Sequence, residues 1–148
     1  MATNAQVRLS SRPSGLPTAD NWEHTSEEVA EPGDGQLLVR NLYLSLDPAM
    51  RGWMNDARSY VPPVGLGEVM RAGAVGVVEA SNHPKFAVGS YVSGTFGVQE
   101  YALSDGAGVV EVDPSRAPLP TYLGTLGMPG LTAWVGLYDI ADVRPGET

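Results

Sequence analysis

The sequence predicts a mainly β domain with short α-helices, wrapped as a partly open β-barrel, and three observations point there. Eighteen glycines and twelve prolines punctuate short apolar runs, the spacing of many short strands joined by turns. Those runs are rich in Val, Leu and Tyr, which suit a pleated, half-buried surface. After Pro118 and Pro120 the apolar residues fall three and four apart, the period of a helix. At 148 residues the chain has room for one core, burying about two-thirds of the surface that the unfolded form exposes.

Taken in order, the expected strands cover residues 6–9, 36–46, 69–80, 91–95, 98–103 and 109–112. In the second, Leu38, Leu42, Leu44 and Leu46 lie two or four residues apart, which predicts one buried face. In the third, Gly73 and Gly76 interrupt a Val-rich run, a pattern of close backbone approach or sharp coiling at a barrel corner. A closed or nearly closed barrel fits. One short helix should end near Gly127 and a second begin near Pro129, whose missing N–H suits a first helical turn. Leu131, Trp134, Val135 and Tyr138 then follow at i, i+3, i+4 and i+7, giving an apolar stripe to about Ile140. Arg144-Pro145-Gly146-Glu147 reads as a polar turn that leads nowhere, so residues 1–148 are expected to be a domain fragment that another strand would follow.

Composition removes several function classes. Seventeen acidic residues against nine basic ones give a net charge of -8, which repels a phosphate backbone, so no nucleic-acid partner is expected. Cysteine is absent, and with it disulfides, thiolate ligands and a cysteine nucleophile. The two histidines, His24 and His83, are far apart and flanked by loop-like residues; both read as surface histidines, and no metal site is expected. No apolar run approaches the roughly 20 residues of a membrane helix. The first residues lack a basic segment followed by an apolar one, so no signal peptide is visible and a cytoplasmic location is the default. No Ser-His-Asp set or paired general-acid carboxylates stand out.

Three segments carry more specific information: Leu44-Ser45-Leu46-Asp47-Pro48-Ala49-Met50-Arg51-Gly52, Val75-Gly76-Val77-Val78-Glu79-Ala80-Ser81, and Leu123-Gly124-Thr125-Leu126-Gly127-Met128-Pro129-Gly130-Leu131-Thr132-Ala133. Read from the residues alone, the first is a turn after a strand, placing Met50 either in the core or in a cleft. The last is either a capped junction between helices or a helix start whose N–H groups at Gly130, Leu131 and Thr132, with the Thr132 hydroxyl, meet a polar ligand. Trp53, Tyr60 and Tyr101 are either core aromatics or faces for a substrate.

In order and spacing these segments resemble the alkenal, prostaglandin and curcumin double-bond reductases, a zinc-independent, NADP-dependent branch of the medium-chain dehydrogenase/reductases. The resemblance covers residues 6–148 and implies a GroES-like fold. It also implies an enzyme in which NADPH delivers hydride to the carbon–carbon double bond of an α,β-unsaturated aldehyde or ketone, followed by protonation of the enolate. Zinc alcohol dehydrogenases, more distant relatives, carry Cys near Asp47-Pro48 and Gly-His-Glu at Gly65-Leu66-Gly67-Glu68; both ligands are missing here. By resemblance Met50, Met128 and Thr132 contact the nicotinamide, the last through its carboxamide, while Arg51, Ala49 and Tyr60 line the substrate pocket. Many eukaryotic members have Tyr at the position of Ala49, so a roomier pocket is implied. The glycine-rich nucleotide-binding element does not occur in the chain. The resemblance places it, with a tyrosine beside the enone, in a Rossmann domain after residue 148, and it implies that the complete protein is a homodimer while this fragment alone is inactive. The alternative is a non-enzymatic GroES-like binding or interaction module, which would need neither the 47–51 segment nor the 128–132 junction.

Overall fold

The computed structural model describes residues 2–147. Strand β1 (Thr3–Leu9) pairs antiparallel with β2 (Trp22–Glu28), Thr3 opposite Glu28 and Leu9 opposite Trp22. A second antiparallel sheet contains β3 (Leu37–Leu44), β4 (Gly73–Ser81), β5 (Tyr91–Thr95), β6 (Tyr101–Ser104) and β7 (Val110–Val112), in the order β6-β3-β4-β5-β7. Single bridges join β1 to residues that precede strands of the second sheet, Gln6 to Gln99 before β6 and Arg8 to Val69 before β4. The fold is mainly β with few helices, and its sheets are open. The closed barrel also allowed by the glycine spacing does not form, because β6 and β7 remain outer strands.

Where the strands differ from expectation, local chemistry explains it. Strand β2 gives no strand signal because its sequence is polar: only Trp22 and Thr25 are partly buried, and an outer strand needs no apolar alternation. In β3 the register shifts between Leu38 and Val39 and again between Asn41 and Tyr43. These irregularities break the period of two. Leu37, Leu38 and Val39 are consecutively buried, whereas Leu42, Tyr43, Leu44 and Leu46 are exposed, so the single leucine face is corrected. Val69 makes only its bridge to Arg8 and lies outside β4, and Val98 lies outside β6.

Two apolar clusters fill the interior. One joins the second sheet's strands through Leu37, Val39, Ala74, Val78, Val92 and Ala102 with Phe86 and Phe96. The other comprises Leu9, Met54, Val64 and Met70, with Trp22, Met50, Trp53 and Val98 packed against it. Leu9 is fully buried at its centre, so Leu9→Ala is expected to cost about 2–5 kcal/mol. Urea denaturation checks this; a loss below about 1 kcal/mol would mean that the cluster collapses around the cavity.

The C-terminal part begins with a 3-10 turn, Leu119–Leu123, anchored where the Tyr122 hydroxyl donates to the carbonyl of Asp113 at 2.7 Å. The Asp113 carboxylate accepts hydrogen bonds from the hydroxyl and N–H of Ser115, which hold its pKa below the usual range. A second helix (Met128–Trp134) passes into a π-helical stretch, Val135–Ile140, in which the Ala141 N–H donates to the Gly136 carbonyl. The change of winding breaks the 3.6-residue period. Leu131, Trp134 and Tyr138 of the apolar stripe are each more than half exposed. No helix among the described residues is long and apolar enough to cross a membrane.

Candidate functional site

The chain leaving β3 turns at Asp47-Pro48 into a five-residue helix, α1 (Ala49–Trp53). Pro48 supplies a fixed φ of -54° at the cap. Met50 N–H donates to the Asp47 carbonyl at 3.0 Å, and the Asp47 N–H points back to Met50 Sδ at 3.3 Å. The segment read as a turn is therefore a short helix that grips its own methionine. Met50 is both core filler and cleft residue: it packs on the Leu9 cluster and lines a groove of about 190 Å³ with Trp22, His24, Leu46 and Met70. A larger groove, about 310 Å³, adjoins it through Val7, His24 and Val98, between Gln6 of β1 and Asn41 to Leu44 of β3. Asn41 Oδ1 is buried without a hydrogen-bond partner.

The residues expected to line a substrate pocket gather around the same helix. Ala49 is exposed on its first turn. Tyr60 is largely exposed, and its hydroxyl accepts a hydrogen bond from Trp53 Nε1 at 3.1 Å. Arg71 lies over the Trp53 ring, 5.5 Å from its centroid, within cation–π range. Arg51 is engaged elsewhere: Nε donates to Gly15 O, Nη2 to Pro13 O and Nη1 to Asn55 Oδ1, at 2.8, 3.0 and 2.7 Å. Tyr101 sits apart, on β6 opposite Arg40.

Met128 and Thr132 form a separate group at the start of the second helix. Its N–H groups are less available than the sequence implied, because Gly130 donates to Gly124 O and Leu131 to Gly127 O, at 3.1 and 3.0 Å. The glycines are also needed for packing: a Cβ on Gly130 would lie 1.8 Å from Thr125 O, and one on Gly127 2.4 Å from Tyr122 O. What remains for a ligand is the exposed Met128 side chain and the Thr132 hydroxyl. That hydroxyl donates to Met128 O at 2.8 Å and keeps its lone pairs for an incoming N–H. Among the described residues no hydrogen bond joins this group to α1.

Two residues of the site carry no signal in the sequence. His24 borders both grooves, a position legible only once β2 is recognised. Arg12 is half-buried and donates to the carbonyls of Met54 and Val64; nothing in its neighbours marks it. His83 has a local role, accepting the Lys85 N–H at Nδ1 and packing on Phe86. Among the described residues no three His, Cys, Asp or Glu side chains stand close enough to hold a metal ion.

Known proteins are similar to this chain in sequence and fold. Residues 5–112 match the family model described as the N-terminal domain of oxidoreductase. The chain is 47% identical over 145 residues to the NADPH-dependent curcumin reductase of Escherichia coli, covering 98% of this chain and 42% of that protein. It is 33% identical over 151 residues to a 2-alkenal reductase (NADP(+)-dependent) of Nicotiana tabacum, covering 99% and 44%. The crystal structure of CurA in complex with NADPH from Vibrio vulnificus superposes with a TM-score of 0.87 at 46% identity, over 97% of this chain and 42% of that one. The chain thus spans less than half the length of these relatives. Matched by the family model over most of its length, it belongs to the N-terminal domains of the medium-chain dehydrogenase/reductase oxidoreductases.

Proposed function

We propose that the chain is the GroES-like, substrate-side domain of an NADPH-dependent cytoplasmic reductase that acts on the carbon–carbon double bond of small α,β-unsaturated aldehydes or ketones. A Rossmann nucleotide-binding domain follows residue 148 in the complete protein, which is a homodimer. The observation that carries this reading is 47% identity, over nearly the whole chain, to a protein named for NADPH-dependent curcumin reduction. The site is compatible with it. Thr132 Oγ1 can accept from a carboxamide N–H, and the exposed Met128 offers an apolar face beside it, so these residues fit the nicotinamide end of a dinucleotide. When bound, the cofactor supplies the hydride. The chain's own residues bind and orient: Met50 contributes to the apolar lining of the groove, while Ala49 and the hydrogen-bonded Tyr60–Trp53 pair lie on and beside α1, outside that lining. Arg51 serves this pocket by holding α1.

The test is NADPH oxidation by the complete protein with an enone and, separately, with the matching saturated aldehyde, in the presence of a chelator. Consumption with the enone alone, unaffected by the chelator, is expected. Equal rates with the saturated aldehyde, or loss of activity on chelation, would remove the reading.

A further inference from the structure

Two arginines cross between the same pair of segments in opposite directions. From the loop after β1, the half-buried Arg12 reaches α1 and its following loop, where Nη1 donates to Met54 O at 2.6 Å and to Val64 O at 3.2 Å. From α1, Arg51 reaches back to the carbonyls of Pro13 and Gly15. The loop is built to receive it. Gly15 has φ +83°, a left-handed conformation natural to glycine, and the loop's far side is tied to Asn21 through Ser10 N–H and Ser11 Oγ. A five-residue helix is too short to be stable by itself, so its position must come from such ties. Charged donors on backbone carbonyls are among the stronger hydrogen bonds.

We propose that Arg12 and Arg51 are positioning residues that work as one reciprocal clasp, locking α1, and with it Met50, against the Pro13–Gly15 loop so that the groove keeps a fixed floor. A single cationic tie would leave either the helix or the loop free to rotate about it; two ties of opposite direction fix both. The clasp itself does not depend on the reductase reading, whereas its effect on catalysis rests on that reading.

Hydrogen exchange and steady-state kinetics on the complete protein separate the two. Lysine keeps the charge but lacks the planar fork, so the variants are Arg12→Lys, Arg51→Lys and the double variant, with the exposed Arg116→Lys as control. The amides of Met50, Arg51, Asn55 and Val64, all hydrogen-bonded in the structure, are expected to exchange about tenfold faster in either single variant. The double variant should add little, because one broken arm already opens the clasp. The KM for an enone should rise about tenfold, with kcat held within about threefold, since a loosened floor weakens substrate binding while Met128 and Thr132 still hold the nicotinamide. Because losing Arg12 can unfold the chain, Arg51→Lys is the deciding variant where Arg12→Lys does not fold. Unchanged exchange in Arg51→Lys, or single effects that add fully in the double variant, overturn the clasp. If the unmodified protein does not reduce enones, the reductase reading fails while the exchange data still decide the clasp.

Discussion

Gly76→Val is expected to abolish folding, while Gly73→Ala, three residues away on the same strand, leaves stability nearly unchanged. At Gly76 a Cβ would stand 2.4 Å from Arg40 O and 2.6 Å from Val39 Cγ1. The nearer atom is backbone at the centre of the five-stranded sheet, where β3 carries an extra residue between Asn41 and Tyr43. The irregularity brings the Arg40 carbonyl onto β4, and only a residue without a side chain accommodates it. Relief would require separating β3 from β4, the most extensive strand pairing in the second sheet. Overpacking a core commonly costs about 1–3 kcal/mol even where side chains can yield, and here backbone must yield. Against a total of roughly 5–15 kcal/mol for a domain, valine removes enough to unfold it. A Cβ on Gly73 would meet only Ser45 Cβ, at 3.7 Å, an ordinary contact. Thermal melts by far-UV circular dichroism compare the two, and a cooperative transition for Gly76→Val within about 5 °C of the parent would refute the account.

That contrast shows what the sequence could and could not convey. The spacing of Gly73 and Gly76 announced a close approach within the strand, and one occurs, but spacing alone cannot say which glycine faces the neighbour's carbonyl. Tyr91–Thr95 was legible in full because both ends carry turn residues. Strand β2 was not, since an outer strand with Glu23, Glu27 and Glu28 has no periodic apolar signal to read. The leucine spacing of residues 38–46 was a false regularity, since two register shifts turned it away from the core. At the site, the types of Met50 and Thr132 left core and ligand contact both open and only the resemblance pointed to a ligand, while the arginine clasp was invisible. Its partners are backbone carbonyls, which have no sequence signature, and Arg12 and Arg51 lie 39 residues apart in the numbering. Helix α1 was likewise missed, because five residues ending in Gly-Trp give no helical period to detect.

Under the proposed reading, the chain of residues 1–148 should bind NADPH only weakly and turn over no substrate, and Thr132→Val in the complete protein should cut turnover more than cofactor affinity. Dinucleotide affinity resides mainly in the pyrophosphate on a helix start and in the ribose contacts. In this chain the helix start at Gly130 and Leu131 already spends its N–H groups on Gly124 O and Gly127 O, so it cannot serve as that phosphate site. What Thr132 can add is one neutral hydrogen bond, worth roughly 0.5–1.5 kcal/mol net. Micromolar binding requires roughly 8 kcal/mol. Valine matches threonine in shape and removes only the hydroxyl that donates to Met128 O; loss of such a bond back to the preceding turn does not weaken a helix. Stability should therefore hold while the nicotinamide loses its orientation, and misplacement of a reacting group by a fraction of an ångström costs rate before it costs binding. A fall in turnover of about tenfold is expected, with the cofactor dissociation constant moving less than about threefold. Calorimetric titration of NADPH into the 148-residue chain, beside steady-state kinetics of the complete Thr132→Val protein, measures both. Micromolar binding by the chain alone, or a variant that loses affinity while keeping its turnover, would show that the cofactor is held differently.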